Sequence, residues 1–185
     1  MKYVGFPDKM MGPLDQIPAE DTLAITSPAF KDGEYIPKKY TGRGEDISPE
    51  LNIDRLPAGT LSLAVTMDDL DVPMSKIFPH WVIWNLPAET TIPENIPSKT
   101  KIPETGAVQG MAYGEHCYRG PKIPRFMKKP HRYVFTVYAL DTILDIYIDT
   151  MERDLLHWMN GHILGRGRIT GLYQNDWTEE NSSES

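Results

Sequence analysis

Prolines and glycines interrupt this chain so often that long regular elements have almost nowhere to form. The 185 residues include sixteen prolines and fourteen glycines. Proline lacks a backbone donor and fixes φ, and clusters of the two residue types mark turns. A helix bundle is therefore disfavoured, and short strands joined by turns are the architecture that tolerates this punctuation.

Five segments between the punctuation read as strands. Thr22 to Thr26 is a short one, with Leu23 and Ile25 on one face. Leu61 to Asp69 alternates, placing Leu61, Leu63, Val65 and Met67 on one face. His80 to Leu86 and Arg132 to Leu140 are apolar on both faces and read as central, doubly covered strands. A last strand is expected at Arg168 to Tyr173, and Glu34 to Tyr40 at most as a Pro-interrupted edge strand.

One helix is expected, and it lies near the C-terminus. Asp149 or Thr150 would cap it, with Glu152 completing a capping box. Met151, Leu155, Met159 and Ile163 form its apolar stripe, and Gly165 ends it. Residues 92–103 and 106–130 read as loops, the second rich in Gly and Pro. The order of elements predicts a mainly β sandwich with a small helical appendage. Residues 1–20 form an N-terminal arm, 21–175 the domain, and 176–185 an acidic tail.

Composition narrows the partners. Hydrophobic residues are 40% and charged residues 24%, ordinary for a globular chain, with a net charge of −7. An acidic chain lacks the broad basic face that nucleic acid or an anionic membrane surface requires. The single cysteine, Cys117, makes no internal disulfide. No window approaches ~18 apolar residues, and the first residues carry acids rather than a signal-peptide core. The expectation is a soluble cytoplasmic protein.

Most catalytic signatures are missing: no phosphate loop, no nucleophile elbow, no H-E-x-x-H. His157 and His162 lie five apart, the wrong spacing for one helix face, so no metal or cofactor is expected. Ser75 and Cys117 are the only nucleophile candidates near the polar strand ends, and neither has a motif around it.

The chemistry that remains sits at strand ends. Asp69, Asp71 and Pro73 close one strand (DLDVP), His80 opens the next, and His131, Arg132 and Tyr133 open the strand after the Gly/Pro loop. Polar strand ends of a sandwich can converge on one rim. Two imidazoles, a tyrosine and a carboxylate around a small cavity would suit an anion. An Asp beside a His would favour the imidazolium, a charge-assisted donor, and loop amides would add further donors. From spacing alone the same residues read first as turn aspartates and strand-capping histidines with satisfied hydrogen bonds.

DLDVP, PHW, RGPKIP and KPHRYVFTVYAL, in that order, resemble the phosphatidylethanolamine-binding protein family, in its bacterial and archaeal Raf-kinase-inhibitor-like branch. SPAF, ISPEL and ITGLYQ match as well, so the resemblance covers roughly 21–175. It implies a large antiparallel sheet packed on a smaller one, with one or two short helices near the C-terminus. It also implies a rim pocket for phosphate-type anions or phospholipid head groups, bound without catalysis. Carried over by motif, the pocket residues are Asp69, Asp71, Pro73, His80, Gly120, Pro121, His131 and Tyr133. Some members are described as kinase or protease inhibitors, which is the alternative function; a small hydrolase is the third. The branch also implies a homodimer. Three departures stand out: GPKIP lacks the family's adjacent prolines, Ile53 replaces a tryptophan, and the acidic tail has no counterpart to the pocket-lining segment of eukaryotic members.

Overall fold

The β-branched and aromatic run after Pro130 forms one of the three long strands at the heart of the molecule, β8 (His131–Leu140). The computed structural model describes residues 20–73 and 77–175. The N-terminal arm up to residue 19, Ser75 and the acidic tail therefore lie outside the described residues. The other strands are β1 (Ile25–Thr26), β2 (Leu51–Ile53), β3 (Ser62–Asp69), β4 (Phe78–Pro87), β5 (Thr91–Ile92), β6 (Lys101–Ile102), β7 (Ala107–Gln109) and β9 (Ile163–Tyr173). Among the described residues one α-helix, α1 (Glu152–Met159), precedes β9.

The strands make two antiparallel sheets. Six are ordered β6-β7-β4-β3-β8-β9, and three are ordered β1-β2-β5. The main core lies between the sheets: Leu63, Val65 and Met67 of β3, Trp81 and Ile83 of β4, and Phe135 and Val137 of β8 meet Ile25, Leu51, Ile53 and Ile92. A second cluster covers the other face of the large sheet, where Ala64, Val82, Trp84, Tyr138 and Leu140 pack under Leu155 and Met159 of α1. Covering both faces explains why every residue of β3 is buried and why β4 and β8 read as continuously apolar.

The expected two-sheet architecture and the three long strands are present, and several details differ. Leu61 precedes β3 and is exposed. The expected edge strand at 34–40 is a single bridge from Tyr35 to Leu172 followed by a 3-10 turn at Lys38–Tyr40. The loop regions contain the short strands β5, β6 and β7. The helix has half its expected span: Asn160 and Gly161, the latter at φ 85°, turn the chain, and Ile163 pairs with Leu140 as the start of β9. No capping box forms. Met151 occupies the N-cap, the Thr150 hydroxyl bonds the Tyr147 carbonyl, and Asp149 bonds His116. Gly165, expected to end the helix, lies inside β9.

Candidate functional site

Three adjacent central strands deliver the polar residues to one rim. Asp69 ends β3 directly opposite Tyr133 near the start of β8, and His131 opens β8. His80 arrives through an irregularity. Met67 pairs with Trp81 and the next residue, Asp68, pairs with Pro79, so His80 is one residue too many in β4. A bulge of this kind puts two successive side chains on the same face. His80 therefore shares the side of Trp81, and it lines the cavity with Asp69, Tyr133, His131 and Pro73.

This cavity measures about 180 Å³, with walls completed by Val72, Phe78, Tyr113, Lys122, Ile123, Pro124 and Met127. Its two imidazoles are each fixed through Nδ1. His131 donates to Asp69 Oδ2 at 2.8 Å, both groups being almost fully buried. His80 donates to the Arg119 carbonyl at 2.8 Å. A carbonyl only accepts, so His80 carries its proton on Nδ1, and Nε2 is the ring's remaining polar atom. Tyr133 meets the His80 ring edge-on at 5.1 Å, and the Tyr113 and Phe78 rings stand 5.0 and 5.6 Å away. Burial holds His80 below the usual imidazole range, against the opposing pull of the Arg119 carbonyl and the Asp69 and Asp46 charges.

Tyr133 is the other distinctive group. Its side chain is fully buried and its hydroxyl makes no hydrogen bond of good geometry, with Asp69 the acceptor beside it. Burial and the Asp69 charge push its ionisation far above the usual phenol value, so it stays a donor. A buried donor without a well-formed hydrogen bond costs roughly 1–3 kcal/mol, which an entering acceptor would offset.

The remaining expected residues stand around the cavity. Asp71 accepts from the Arg132 main-chain N–H, Nε and Nη2 at 2.8, 2.9 and 2.8 Å. Its carboxyl is held below the usual range by that guanidinium. It clamps the 69–73 turn to β8 and faces a neighbouring hollow of about 360 Å³, also lined by Lys128 and Lys129. Gly120 and Pro121 lie off the cavity, and the Gly120 amide donates to Asp46 Oδ1 at 2.6 Å rather than inward. Glycine is required there, because a Cβ would lie 2.2 Å from the Tyr40 carbonyl oxygen. Gly120 instead lines an adjoining cleft of about 550 Å³, with Arg43, Asp46, Glu115 and Arg119. Tyr113, Lys122, Ile123 and Pro124 wall both spaces.

Sequence reasoning missed Lys122, Tyr113 and Phe78. The signal for Lys122 was its place in GPKIP, where it brings a cation to the cavity. Tyr113 sits in a tight turn at φ 51° that no motif announces. Cys117 lines neither the cavity nor the cleft; burial raises its thiol, which weakens it as a nucleophile. Among the described residues no group of three His, Cys, Asp or Glu could hold a metal ion, and no helix is long and apolar enough to cross a membrane.

The profile of the phosphatidylethanolamine-binding protein family matches residues 26–174. A UPF0098 protein of Methanothermobacter thermautotrophicus is 45% identical over 154 residues, covering 82% of this chain and 99% of the relative. Among solved structures, a putative PEBP homolog from Chlamydia trachomatis superposes with a TM-score of 0.73 at 34% identity, covering 85% of this chain and all of that one. YbcL of E. coli, described as a member of the mammalian PEBP family, gives 0.74 at 31% identity, covering 83% and 99% of the two chains.

Proposed function

Since this chain belongs to the phosphatidylethanolamine-binding protein family, we propose that the 180 Å³ cavity binds a phosphate-type anion, such as a phospholipid head group of the phosphoethanolamine kind, without turning it over. The observation that carries this reading is the fully buried Tyr133 hydroxyl, without a well-formed hydrogen bond, beside two imidazoles whose Nδ1 atoms are already engaged. The Tyr133 donor and two orientated rings thus converge on one space, and His80 joins as a donor once its Nε2 is protonated. Tyr133 would bond one oxygen, the imidazole Nε2 atoms would bond others, and Lys122 would supply a nearby positive charge.

Binding would be linked to proton uptake. Neutral His80 has no proton on Nε2, so it donates there only as the imidazolium. Burial disfavours that form in the free protein, and an anion restores it. Association should therefore strengthen as pH falls toward the depressed His80 pKa. Cys117 is a poor candidate for a hydrolytic nucleophile, because it does not line the cavity and burial raises its thiol.

The adjoining 550 Å³ cleft favours one further reading, in which the anion is carried on a protein and the family's inhibitor role applies. Calorimetric titration with phosphoethanolamine and with inorganic sulfate tests the pocket directly. Saturable binding that His80→Ala abolishes supports it. Absence of saturable binding at millimolar concentration of either probe overturns it.

A further inference from the structure

The two cavity histidines are held by what look like unrelated devices, a carboxylate for His131 and a main-chain carbonyl for His80. The second device has a carboxylate behind it. The carbonyl that accepts from His80 belongs to the peptide group joining Arg119 to Gly120, and the N–H of that same peptide group donates to Asp46 Oδ1 at 2.6 Å. One peptide unit thus lies between the Asp46 carboxylate and the His80 imidazole. We infer that Asp46 is a positioning residue for His80, acting through the Arg119–Gly120 peptide group as Asp69 acts on His131 by direct contact.

Three features support the relay. Hydrogen bonds in series polarise one another, so a carboxylate on the N–H makes the carbonyl at the other end a stronger acceptor. The peptide's orientation is fixed from three sides: the Arg119 N–H returns to the His80 carbonyl at 3.3 Å, and the Arg119 guanidinium bonds Asp46 Oδ2 at 3.1 Å. The third side is the packed Tyr40 backbone, which leaves no room for a side chain at 120. Finally, Asp46 adopts φ 58°, a conformation that any L-residue enters at a cost and that aims its carboxylate at this peptide.

The charges around His80 act in both directions. Asp69 and Asp46 favour its imidazolium, His131 opposes it, and the Tyr133 phenol stays neutral. Arg119 is itself paired to Asp46 and Glu115. Removing the Asp46 charge therefore takes away one of two carboxylates that make His80 protonatable when an anion arrives.

This inference rests on the pocket reading for its functional meaning, but its test does not need a ligand. In the ligand-free protein, long-range ¹H–¹⁵N correlation reports the tautomer and titration of His80, and the Gly120 amide reports the relay. The expected wild-type result is an Nδ1–H tautomer and a Gly120 amide shift that follows the His80 titration. In Asp46→Asn the His80 titration should move acidward by roughly half a unit or more. The pH profile of sulfate affinity should move with it, and affinity at neutral pH should fall several-fold. Arg119→Gln, which removes the side-chain ion pair and leaves the peptide in place, should preserve the tautomer.

A Gly120 amide that ignores the His80 titration overturns the relay, as does an unchanged His80 titration in folded Asp46→Asn. The amide measurement decides the question even if that variant fails to fold. Failure of sulfate to bind the wild type would instead remove the pocket reading and leave the tautomer result standing.

Discussion

Asp68 and Asp69 are neighbours on one strand, both buried, and they live in opposite chemical worlds. Asp69 points into the rim cavity and accepts from the His131 imidazole and from the Asp71 amide. Asp68 points to the other face of the large sheet, beneath α1, where its closest charged neighbour is another carboxyl, Glu152, the first residue of the helix. One oxygen of Asp68 has no partner, and burial with the Glu152 charge pushes its pKa up to about 9. At neutral pH the Asp68–Glu152 pair therefore shares a proton. Burial alone does not set an acid's role; the partner supplied by the facing element does.

Identical Asp→Asn substitutions at the two positions should break this comparison most sharply. Asp69→Asn removes the charge beside the almost fully buried His131 and leaves one accepting oxygen for two donors, the His131 imidazole and the Asp71 amide, and should cost roughly 3 kcal/mol, read as a Tm lower by roughly 6–12 °C. Asp68→Asn should do the reverse at high pH. A carboxyl raised in the folded state stabilises the fold below its unfolded pKa of about 4, and that contribution is lost as pH rises through about 9. The Asn variant lacks this loss, so at about pH 9 it should be more stable than the wild type by about 1 kcal/mol or more, measured by urea unfolding. A variant less stable at every pH would show that burial and Glu152 do not raise the Asp68 carboxyl.

The cavity side of the comparison is sharpened by pH. Sulfate keeps its charge across the working range, so its affinity isolates the protein's own titration. It should strengthen by up to tenfold per pH unit between about pH 8 and the lowered His80 pKa, and His80→Asn should flatten most of that slope. The smallest effect belongs to Lys122→Gln. Loss of an exposed cation at the cavity mouth should weaken sulfate by a few-fold at low ionic strength, and the difference should shrink as salt rises. A salt-independent difference would place Lys122 in direct contact with the anion.

How much of this was legible beforehand depended on the range of the interactions. The cores of β3, β4 and β8 announce themselves, because alternation and doubly apolar runs are local signals. The polar residues at the ends of those strands were equally readable, and five of the eight expected site residues line the small cavity. The helix was overextended because the four-residue spacing of Met151, Leu155, Met159 and Ile163 continues across the Asn160–Gly161 turn into a strand. β2, β6 and β7 are two or three residues long, too short to carry a period. The bond from the Gly120 amide to Asp46 joins residues 74 apart, which no local pattern encodes.

The extra residue in β4 has a consequence for how such a pocket is inherited. Because the irregularity at His80 is a matter of counting, the cavity depends on the length of the segment between Pro73 and Trp81 as well as on which side chains it contains. Shortening that segment by one residue would let the hairpin zip regularly and rotate the imidazole toward the helix side, with every motif letter intact. Insertions and deletions there, rather than substitutions, are the changes that would silence the pocket in a relative whose motifs still match.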